Sequence, residues 1–436
     1  MSRHLAVKAV STACLFALSA GFVFASVATD DSAARVQKIL TDTPLIDGHN
    51  DLPWEIRMLF GSDVVAAHLE VDHSAHPDPA APHMMTDIPR LHRGQVGAQF
   101  WSVWIPTSLQ GFEAVQVTLE QIDLVKRMVA TYPHDLEMAY SAADIRRLHR
   151  QHKVASLIGI EGGHQINDSL AVLRQMYDAG ARYMTLTHTT NTDWADSATD
   201  SPKFQGLTPF GETLVHEMNR IGMLVDISHV SAAAMKAALK TSEAPVMFSH
   251  SSARSLVDHP RNVPDDVLTL LASNHGIVMV NFYTAYVSAE RNQWEADHAA
   301  EKTRYNSPPY SGLYIGQPER AKAALSAWEK AHPIPVTTLA QVADHLDHLK
   351  KVAGVDHIGI GSDFDGMEDT PVGLEGVDHF PALLQELMRR GWSDADIAKV
   401  AGGNLLRVLA DAERVAVKLS QQRPASSVKF NSTAAH

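Results

Sequence analysis

The chain has 436 residues, of which 45% are hydrophobic and 20% charged, a composition typical of globular proteins and unlike that of disordered or fibrous ones. Lys and Arg number 37 against 50 Asp and Glu, and the formal net charge of −13 argues against nucleic acid as a partner. Because Cys14 is the single cysteine, the chain forms no intramolecular disulfide and has no multi-cysteine metal site. Its 24 histidines and many acids are the residues left for chemistry.

The first 25 residues have the pattern of a secretory signal peptide. Arg3 and Lys8 precede an apolar run over 9–24, and residues 23–25 fit the small-x-small rule for cleavage. The apolar run is short and is interrupted by Ser and Thr, which favours cleavage over an uncleaved membrane anchor. We therefore expect an exported protein, periplasmic or secreted, with no stable membrane anchor after removal of 1–25.

Eight short apolar runs bounded by turn residues follow in chain order and predict strands. Helix-like patterns lie between several of them, for example over 113–130 and 342–352. Alternating strands and helices predict a parallel sheet covered on both faces, and eight strands predict a (β/α)8 TIM barrel in the α/β class. The predicted strands are at 45–51, 96–106, 155–163, 183–189, 223–230, 245–253, 276–283 and 357–366.

The rest of the chain divides simply around this barrel. One barrel domain is expected over 26–418, with a long insertion at 288–335 after strand seven. Insertions of this kind either form a lid over the site or are surface excursions, and both readings stay open. Residues 419–436 form a polar tail that is expected to be disordered.

Metal-competent side chains recur where the predicted strands end, which is where TIM barrels place their chemistry. For any one of them a hydrogen-bonded structural role is the more common explanation, so the combination carries the inference. The residues are His49 and Asp51 on strand one, Glu161 on strand three, His188 on strand four, His229 on strand five, His250 on strand six, and Asp363 and Asp365 on strand eight.

The spacing of these residues indicates two metal ions. His49 and Asp51 are two residues apart and so project from the same face of a strand, where they can hold one metal together. His229 and His250 offer two imidazoles from neighbouring strands. With Glu161 between them, the set is too large for one open zinc site and suits two metals bridged by a carboxylate, sharing a water or hydroxide nucleophile.

The remaining polar groups have candidate roles in proton transfer and charge stabilisation. Asp363 is a candidate general acid or base, but Asp365 shares its face in an extended segment, and spacing does not choose between them. His188 could donate a hydrogen bond to a developing oxyanion.

Two arginines follow the strand that carries His250. A planar guanidinium near a hydrolytic centre suggests recognition of a substrate carboxylate. The alternative for Arg254 and Arg261 is a salt bridge with Asp258, Asp265 or Asp266, and the sequence pattern does not separate the two.

Seven ordered motifs between about residues 38 and 415 resemble those of the renal (membrane) dipeptidase family of zinc metallopeptidases, in the form of a bacterial-type exported member. Any one motif is weak, but their number and order are specific. They are DGHNDLPW at 47–54, GIEGGH at 159–164, LTHTTNTDWADS at 186–197, DISHVS at 226–231, FSHSSAR at 248–254, HPRNVPDD at 259–266 and GSDFDG at 361–366.

The resemblance implies an amidohydrolase-like, metal-dependent barrel enzyme that cleaves dipeptides, tolerates a D-residue at the C-terminal side and in some members opens β-lactams. It implies that His49 and Asp51 hold one Zn2+, that His229 and His250 hold the second, and that Glu161 bridges them. The family's mammalian members carry disulfides and a lipid anchor, for which this sequence has no signal, so membrane attachment and covalent dimerisation are not expected, while a non-covalent homodimer is compatible with it.

The resemblance also assigns the substrate-handling residues. Asp363 matches the family's acid/base, His188 its substrate-binding histidine and Arg261 the arginine that binds the substrate carboxylate. Arg254 is then structural, and Tyr286 lines the pocket. Two alternatives to a dipeptidase are another dimetal amide, lactam or ester hydrolase and a non-catalytic exported metal- or peptide-binding protein. The former commonly have His-x-His on strand one, whereas this chain has His-x-Asp.

Overall fold

The computed structural model describes residues 31–75, 84–306 and 312–431. The expected signal peptide at 1–25 lies outside the described residues, as do 307–311 of the insertion and 432–436 of the tail.

Nine parallel strands form one sheet, and eight of them close into a barrel. The strand order is β2-β1-β9-β8-β7-β6-β5-β4, and β2 pairs with β4 to complete the ring. The short β3 lies outside this ring and pairs with the beginning of β4. All eight predicted strands are present, which confirms the TIM barrel, while β3 was missed. The strands are β1 Leu45–Asn50, β2 Val96–Trp104, β3 Leu136–Met138, β4 Val154–Glu161, β5 Ala181–Thr185, β6 Leu224–Asp226, β7 Met247–Phe248, β8 Ile277–Val280 and β9 Ile358–Ile360.

Helices surround the barrel, and several begin at residues whose side chains cap them. Ser141, Ser169 and Ser231 each accept a hydrogen bond from the backbone N–H three residues further on. The helices are α1 Ser32–Asp42, α2 Leu52–Phe60, α3 Ile88–Arg93, α4 Gly111–Thr131, α5 Ala142–His149, α6 Leu170–Asp178, α7 Pro209–Ile221, α8 Ala232–Thr241, α9 Asp265–Ser273, α10 Thr284–Val287, α11 Ala289–Asn306, α12 Pro318–Ala331, α13 Leu339–Ala353, α14 Phe380–Arg389, α15 Asp394–Ala398 and α16 Asn404–Gln422. No helix in these described ranges is long and apolar enough to cross a membrane.

The barrel strands are buried along their length, as expected for a parallel sheet between an outer helix layer and a filled interior. Every residue of β1, β4 and β8 is buried. Inside the barrel, Gly159 makes room for a neighbour: a Cβ atom built there would lie 1.9 Å from the ring of Tyr183. The small residue on β4 therefore lets the aromatic ring from β5 lie across it.

The insertion at 288–335 contains the helices α11 and α12, which pack against each other through Trp294 and Trp328, with ring centroids 5.9 Å apart. Arg291 of α11 binds the carboxylate of Asp369, after β9, through Nη1 at 2.7 Å and Nη2 at 3.3 Å. Since Asp369 lies in the segment that follows the last strand, this ion pair fastens the insertion to the rim of the barrel.

The end of the chain is more ordered than its polar composition indicated. The last helix, α16, passes the expected boundary at 418 and ends at Gln422. Beyond it, the N–H of Ser426 donates to Glu217 at 3.2 Å, and the ring of Phe430 packs against Phe210 at 5.4 Å. The buried Glu217 carboxylate and one aromatic side chain hold this segment against α7, which composition alone does not show.

Candidate active site

The side chains that the sequence placed at the strand ends meet at the carboxyl-terminal rim of the barrel. Asp51 directly follows β1, Glu161 ends β4, and His229 and His250 lie just after β6 and β7. In each of three groups, one ligand atom per residue lies within 4.8 Å of the others. These groups are His49 with Asp51 and Glu161, Glu161 with His229 and His250, and His49 with His250 and Asp363.

Glu161 lies at the centre of these groups and presents a different oxygen to each side. Its Oε2 is 3.4 Å from Nε2 of His49. Its Oε1 is 2.9 Å from Nε2 of His229 and 3.4 Å from Nε2 of His250. The hydroxyl of Ser102 donates to Oε2 at 3.2 Å and orients the carboxylate. A carboxylate that bridges two metal ions needs this arrangement.

The environment of the cluster favours the metal-binding protonation states of Glu161, His229 and His250. His49 differs, because burial lowers its pKa but the phenol and the carboxylates around it outweigh burial and raise that pKa well above its ordinary value. Burial raises the pKa of Glu161, but the charge of His49 and the contacts with the other two imidazoles outweigh burial and hold that pKa well below its usual value. Burial lowers the pKa of His250 to about 4 and takes that of His229 well below its ordinary value. An ionised carboxylate and neutral imidazoles are the forms that ligate a metal.

One buried atom supports the fit of these residues to a metal ion. Nε2 of His49 makes no hydrogen bond, although it lies 3.2 Å from Oδ2 of Asp51 and 3.4 Å from Oε2 of Glu161. Buried polar atoms almost always have a partner, and a ring nitrogen among carboxylate oxygens is the donor set of Zn2+ and related divalent ions. The structure thus supports a metal centre here.

Three residues of the rim adopt a backbone conformation that side chains disfavour. His229, Asp363 and Asp365 have φ values of 65°, 71° and 62°, in the left-handed region. Each such residue costs on the order of 1 kcal/mol or more and persists where the surrounding structure imposes it. Gly366 comes so close to Asp51 that an added Cβ would lie 2.2 Å from its Oδ2. Contacts at the rim of the barrel, rather than local backbone preference, therefore determine the conformation of the loops after β6 and β9.

The two candidate aspartates after β9 occupy different surroundings. Oδ1 of Asp363 lies 3.9 Å from Nε2 of His49, and its Oδ2 accepts a hydrogen bond from Asn281 at 2.9 Å. Asp365 accepts from the N–H of Met85 at 2.6 Å, and burial raises its pKa to about 7. Asp363 thus lies with the metal-binding groups, whereas Asp365 belongs to none of the groups found among the described residues.

His188 is fixed in one neutral form by its neighbour. The indole N–H of Trp104 donates to Nδ1 of His188 at 3.3 Å, so that this nitrogen carries a lone pair. Burial lowers the pKa of His188, and the neutral ring then carries its proton on Nε2, which lies 3.8 Å from Oε1 of Glu161. The imidazole therefore presents an N–H towards the centre of the site.

Arg261 is buried in the site, and no acid in the described ranges forms an ion pair with it. It is 2% exposed, and its Nη groups donate to the carbonyl of His250 at 3.2 Å and the hydroxyl of Ser251 at 3.4 Å. Its Nε has no hydrogen-bond partner, and the guanidinium lies 5.4 Å from the ring centroid of Tyr286. An unpaired buried charge is costly unless a ligand supplies its counter-ion.

The salt bridges considered for the two arginines are not formed in the described chain. Arg254 donates instead to the carbonyls of His259 and Pro260, which is a structural role. Asp265 pairs with His348 and Asp266 with Lys236. The acids that could have neutralised Arg261 are therefore engaged elsewhere or make no ion pair with it.

These residues surround a cavity of about 630 Å³, which lies in the usual range for small-molecule sites. Tyr286 lines it together with Arg261, and the ring of Trp104 packs edge-on against Trp54 at 4.7 Å to form an aromatic wall. None of the described residues of 288–335 is among those that line it. The other lining residues are Asp51, Glu55, Met85, Glu161, His188, Thr189, His229, Tyr283, Asp363, Asp365, Gly366, Met367 and Glu368.

Several residues of the site were not found from the sequence. The hydroxyl of Tyr183 lies 2.8 Å from Nδ1 of His49, and Ser102, Trp104 and Asn281 contact Glu161, His188 and Asp363 as described above. Tyr183 is the third residue of β5 and lies inside an apolar run, where the sequence pattern predicts that an aromatic residue belongs to the hydrophobic core. Only its polar tip separates it from other core residues, which is too weak a signal to find it in advance.

The fold and the site together define a metal-dependent hydrolase of the TIM-barrel class. The chain belongs to the family described as membrane dipeptidase (Peptidase family M19), whose sequence profile matches residues 33–423. It is 41% identical to Dipeptidase 3 of Rattus norvegicus over 395 residues, which cover 89% of this chain and 69% of that protein. It is 40% identical to Dipeptidase aclJ of Aspergillus oryzae over 398 residues, covering 89% of this chain and 83% of that one.

Solved structures agree with this assignment. The probable dipeptidase PvdM from Pseudomonas aeruginosa superposes with a TM-score of 0.72 at 25% identity, covering 89% of this chain and all of that one. A metallopeptidase from Rhodobacter sphaeroides, liganded with a phosphinate mimic of the dipeptide L-Ala-D-Ala, has the same fold, with a TM-score of 0.66 at 22% identity over 85% of this chain and 100% of the other. The chain is thus a metal-dependent dipeptidase, as its motifs indicated.

Proposed function

We propose that the protein hydrolyses dipeptides that have a free C-terminal carboxylate, including those with a D-residue at that end, at a centre of two zinc ions. The observation that carries the proposal is that the two oxygens of Glu161 face different imidazole groups in the same cavity as the unpaired, buried Arg261. The proposed metal ligands are His49 and Asp51 for one ion, His229 and His250 for the other, and Glu161 for both.

Arg261 accounts for selection of the free carboxylate. Its Nε–H has no hydrogen-bond partner among the described residues, and a substrate carboxylate in the cavity that this guanidinium lines would supply its counter-charge in a charge-assisted pair. Tyr286, beside this guanidinium, would form part of the same subsite. The dipeptide mimic bound to the Rhodobacter sphaeroides metallopeptidase supports the inclusion of D-residues, because that ligand ends in D-Ala.

Bound metal would polarise the scissile carbonyl and increase the acidity of a water molecule at the site. Asp363, whose Oδ1 lies 3.9 Å from Nε2 of His49, would accept a proton from the attacking water and return it to the nitrogen of the leaving amine as the C–N bond breaks. Nε2–H of His188 would donate to the carbonyl oxygen as it becomes negative. Asn281, which donates to Asp363, keeps that carboxylate oriented.

The test is amino-acid release from L,L- and L,D-dipeptides by the purified protein, stripped by a chelator and then restored with zinc. We expect cleavage to depend on metal, to include the L,D-substrates and to fail when the C-terminal carboxylate is amidated. Equal cleavage of free and amidated dipeptides would contradict the role of Arg261. Cleavage of L,L-dipeptides alone would contradict tolerance of the D-residue.

Export and self-association are further parts of the proposal. The N-terminal pattern at 1–25 supports secretion through a cleaved signal, and N-terminal sequencing of the protein from cell fractions tests it. A new terminus near residue 26 in an exported fraction is expected, and an intact Met1 in the cytoplasm would contradict export.

A non-covalent homodimer is expected by size measurement in solution, and a monomer at micromolar concentration would exclude the dimer.

A further inference from the structure

A buried serine and a buried carboxylate lie in line behind one of the proposed metal ligands. Nδ1 of His250 is 2.8 Å from Oγ of Ser249, and that hydroxyl is 2.7 Å from Oδ2 of Asp226. Asp226 and Ser249 have no exposed surface and His250 is 1% exposed. Asp226 ends β6 and the other two follow β7, so that the line runs between neighbouring strands of the barrel.

The order of donors and acceptors along this line fixes the position of one proton. Asp226 accepts from the hydroxyl of Thr185 at 2.5 Å and from the backbone N–H groups of Ser228 and Ser249 at 3.1 and 2.8 Å. The hydroxyl of Ser249 likewise donates its proton to Asp226. The same hydroxyl oxygen must then accept the Nδ1–H of His250, which leaves a lone pair on Nε2.

That lone pair is directed at the proposed metal centre. Nε2 of His250 lies 3.4 Å from Oε1 of Glu161 and 3.0 Å from Nε2 of His229. The Nδ1 atoms of the other two imidazoles have different neighbours: Nδ1 of His49 faces the phenol of Tyr183 at 2.8 Å, and Nδ1 of His229 is buried without a partner among the described residues. Of these three Nδ1 atoms, that of His250 is linked through a hydroxyl to a buried carboxylate.

We propose that Ser249 and Asp226 are positioning residues that hold His250 in the tautomer that binds metal and increase its strength as a ligand. This inference rests on the proposed role of His250 as a metal ligand. A carboxylate or similar acceptor behind a ligating histidine fixes the ring and its tautomer, and its loss typically weakens metal binding about 10–100-fold. Here a serine hydroxyl connects the imidazole and the carboxylate.

The experiment measures the Zn2+ affinity of the metal-free, full-length protein by competition with a chromogenic chelator. Ser249→Ala removes only the connecting hydroxyl, and we expect the affinity for the ion held by His229 and His250 to fall about 10–100-fold. Ser252→Ala is the matched control, because Ser252 is also fully buried nearby but donates to the carbonyl of Asn281. That control should bind Zn2+ as the unaltered protein does.

A second readout separates positioning from simple loss of packing. In the metal-free protein with labelled histidine, nitrogen NMR should show His250 protonated at Nδ1, and Ser249→Ala should shift that proton towards a mixture of the two tautomers. Asp226→Asn, if it folds, should have the same effect. A Zn2+ affinity for Ser249→Ala within twofold of the control, or a His250 proton on Nε2 in the unaltered protein, would overturn the inference.

His250→Ala distinguishes failure of this inference from failure of the proposed function. If His250→Ala weakens Zn2+ binding and Ser249→Ala does not, the ligand set stands and the positioning role is wrong. If His250→Ala binds Zn2+ unchanged, the proposed ligand set itself is wrong, and the positioning role falls with it.

Discussion

Replacing Arg261 by Met should abolish the preference for a free C-terminal carboxylate. Arg261 is 2% exposed, its Nη groups donate to His250 and Ser251, and its Nε–H has no partner in the described part of the chain. The side of the guanidinium that lines the cavity can form two hydrogen bonds to a carboxylate. Each charge-assisted bond contributes about 1.5–3 kcal/mol, so that about 3–6 kcal/mol is lost. At about 1.4 kcal/mol per decade, kcat/KM should fall about two to four orders of magnitude.

The assay compares kcat/KM for one dipeptide and its C-terminal amide in the unaltered protein and in Arg261→Met. The loss should appear with the free carboxylate and be small with the amide, because the amide makes no charge-assisted pair. Arg254→Met is the control, since Arg254 contacts backbone carbonyls outside the cavity lining, and it should keep the preference. If Arg261→Met discriminates between the two substrates as the unaltered protein does, the carboxylate subsite has been misplaced.

Three further predictions concern the metal centre and acid stability. Asp363→Asn should retain its metal and lose about 100-fold or more in kcat, because the amide cannot accept the proton; unchanged turnover with full metal would exclude the role. Glu161→Gln should bind less metal by elemental analysis, since a neutral amide replaces the bridging anion, and full metal content would refute the bridge. Burial lowers the pKa of His345 to about 4, and its Nδ1 accepts from the N–H of Ala253 at 3.0 Å. The folded protein therefore holds this ring neutral, so its stabilising contribution is complete above pH about 6.5 and is lost as the pH falls towards about 4. In denaturant unfolding, His345→Gln should reduce the decrease of the free energy of unfolding between about pH 6.5 and 4. An unchanged decrease would refute the role of His345 in acid stability.

The barrel could be predicted because its strands are continuous apolar runs separated by helical patterns. The exact strand ends could not, since the run over 245–253 contains only a two-residue strand, Met247–Phe248, followed by the loop that carries His250. That loop and the one bearing Asp363 take their conformation from contacts across the rim, as the positive φ of Asp363 shows. Local sequence preference does not encode such contacts.

The candidate site was predictable in its residue types and their order, because TIM barrels collect strand ends at one rim. Its supporting contacts were not, since the approach of Tyr183 to His49 depends on how β5 lies against β1 across the barrel interior. The sequence also left the partner of Arg261 open, because acids lay nearby in the chain. Only the three-dimensional arrangement shows that no described acid forms an ion pair with it.

The most direct test of the central claim is titration of the metal-free protein with Zn2+ while cleavage of an L,D-dipeptide is followed. A two-metal centre bridged by Glu161 predicts that activity is absent without metal and reaches its maximum at two equivalents of Zn2+ per chain. Full activity at one equivalent, or cleavage by the metal-free protein, would contradict the account.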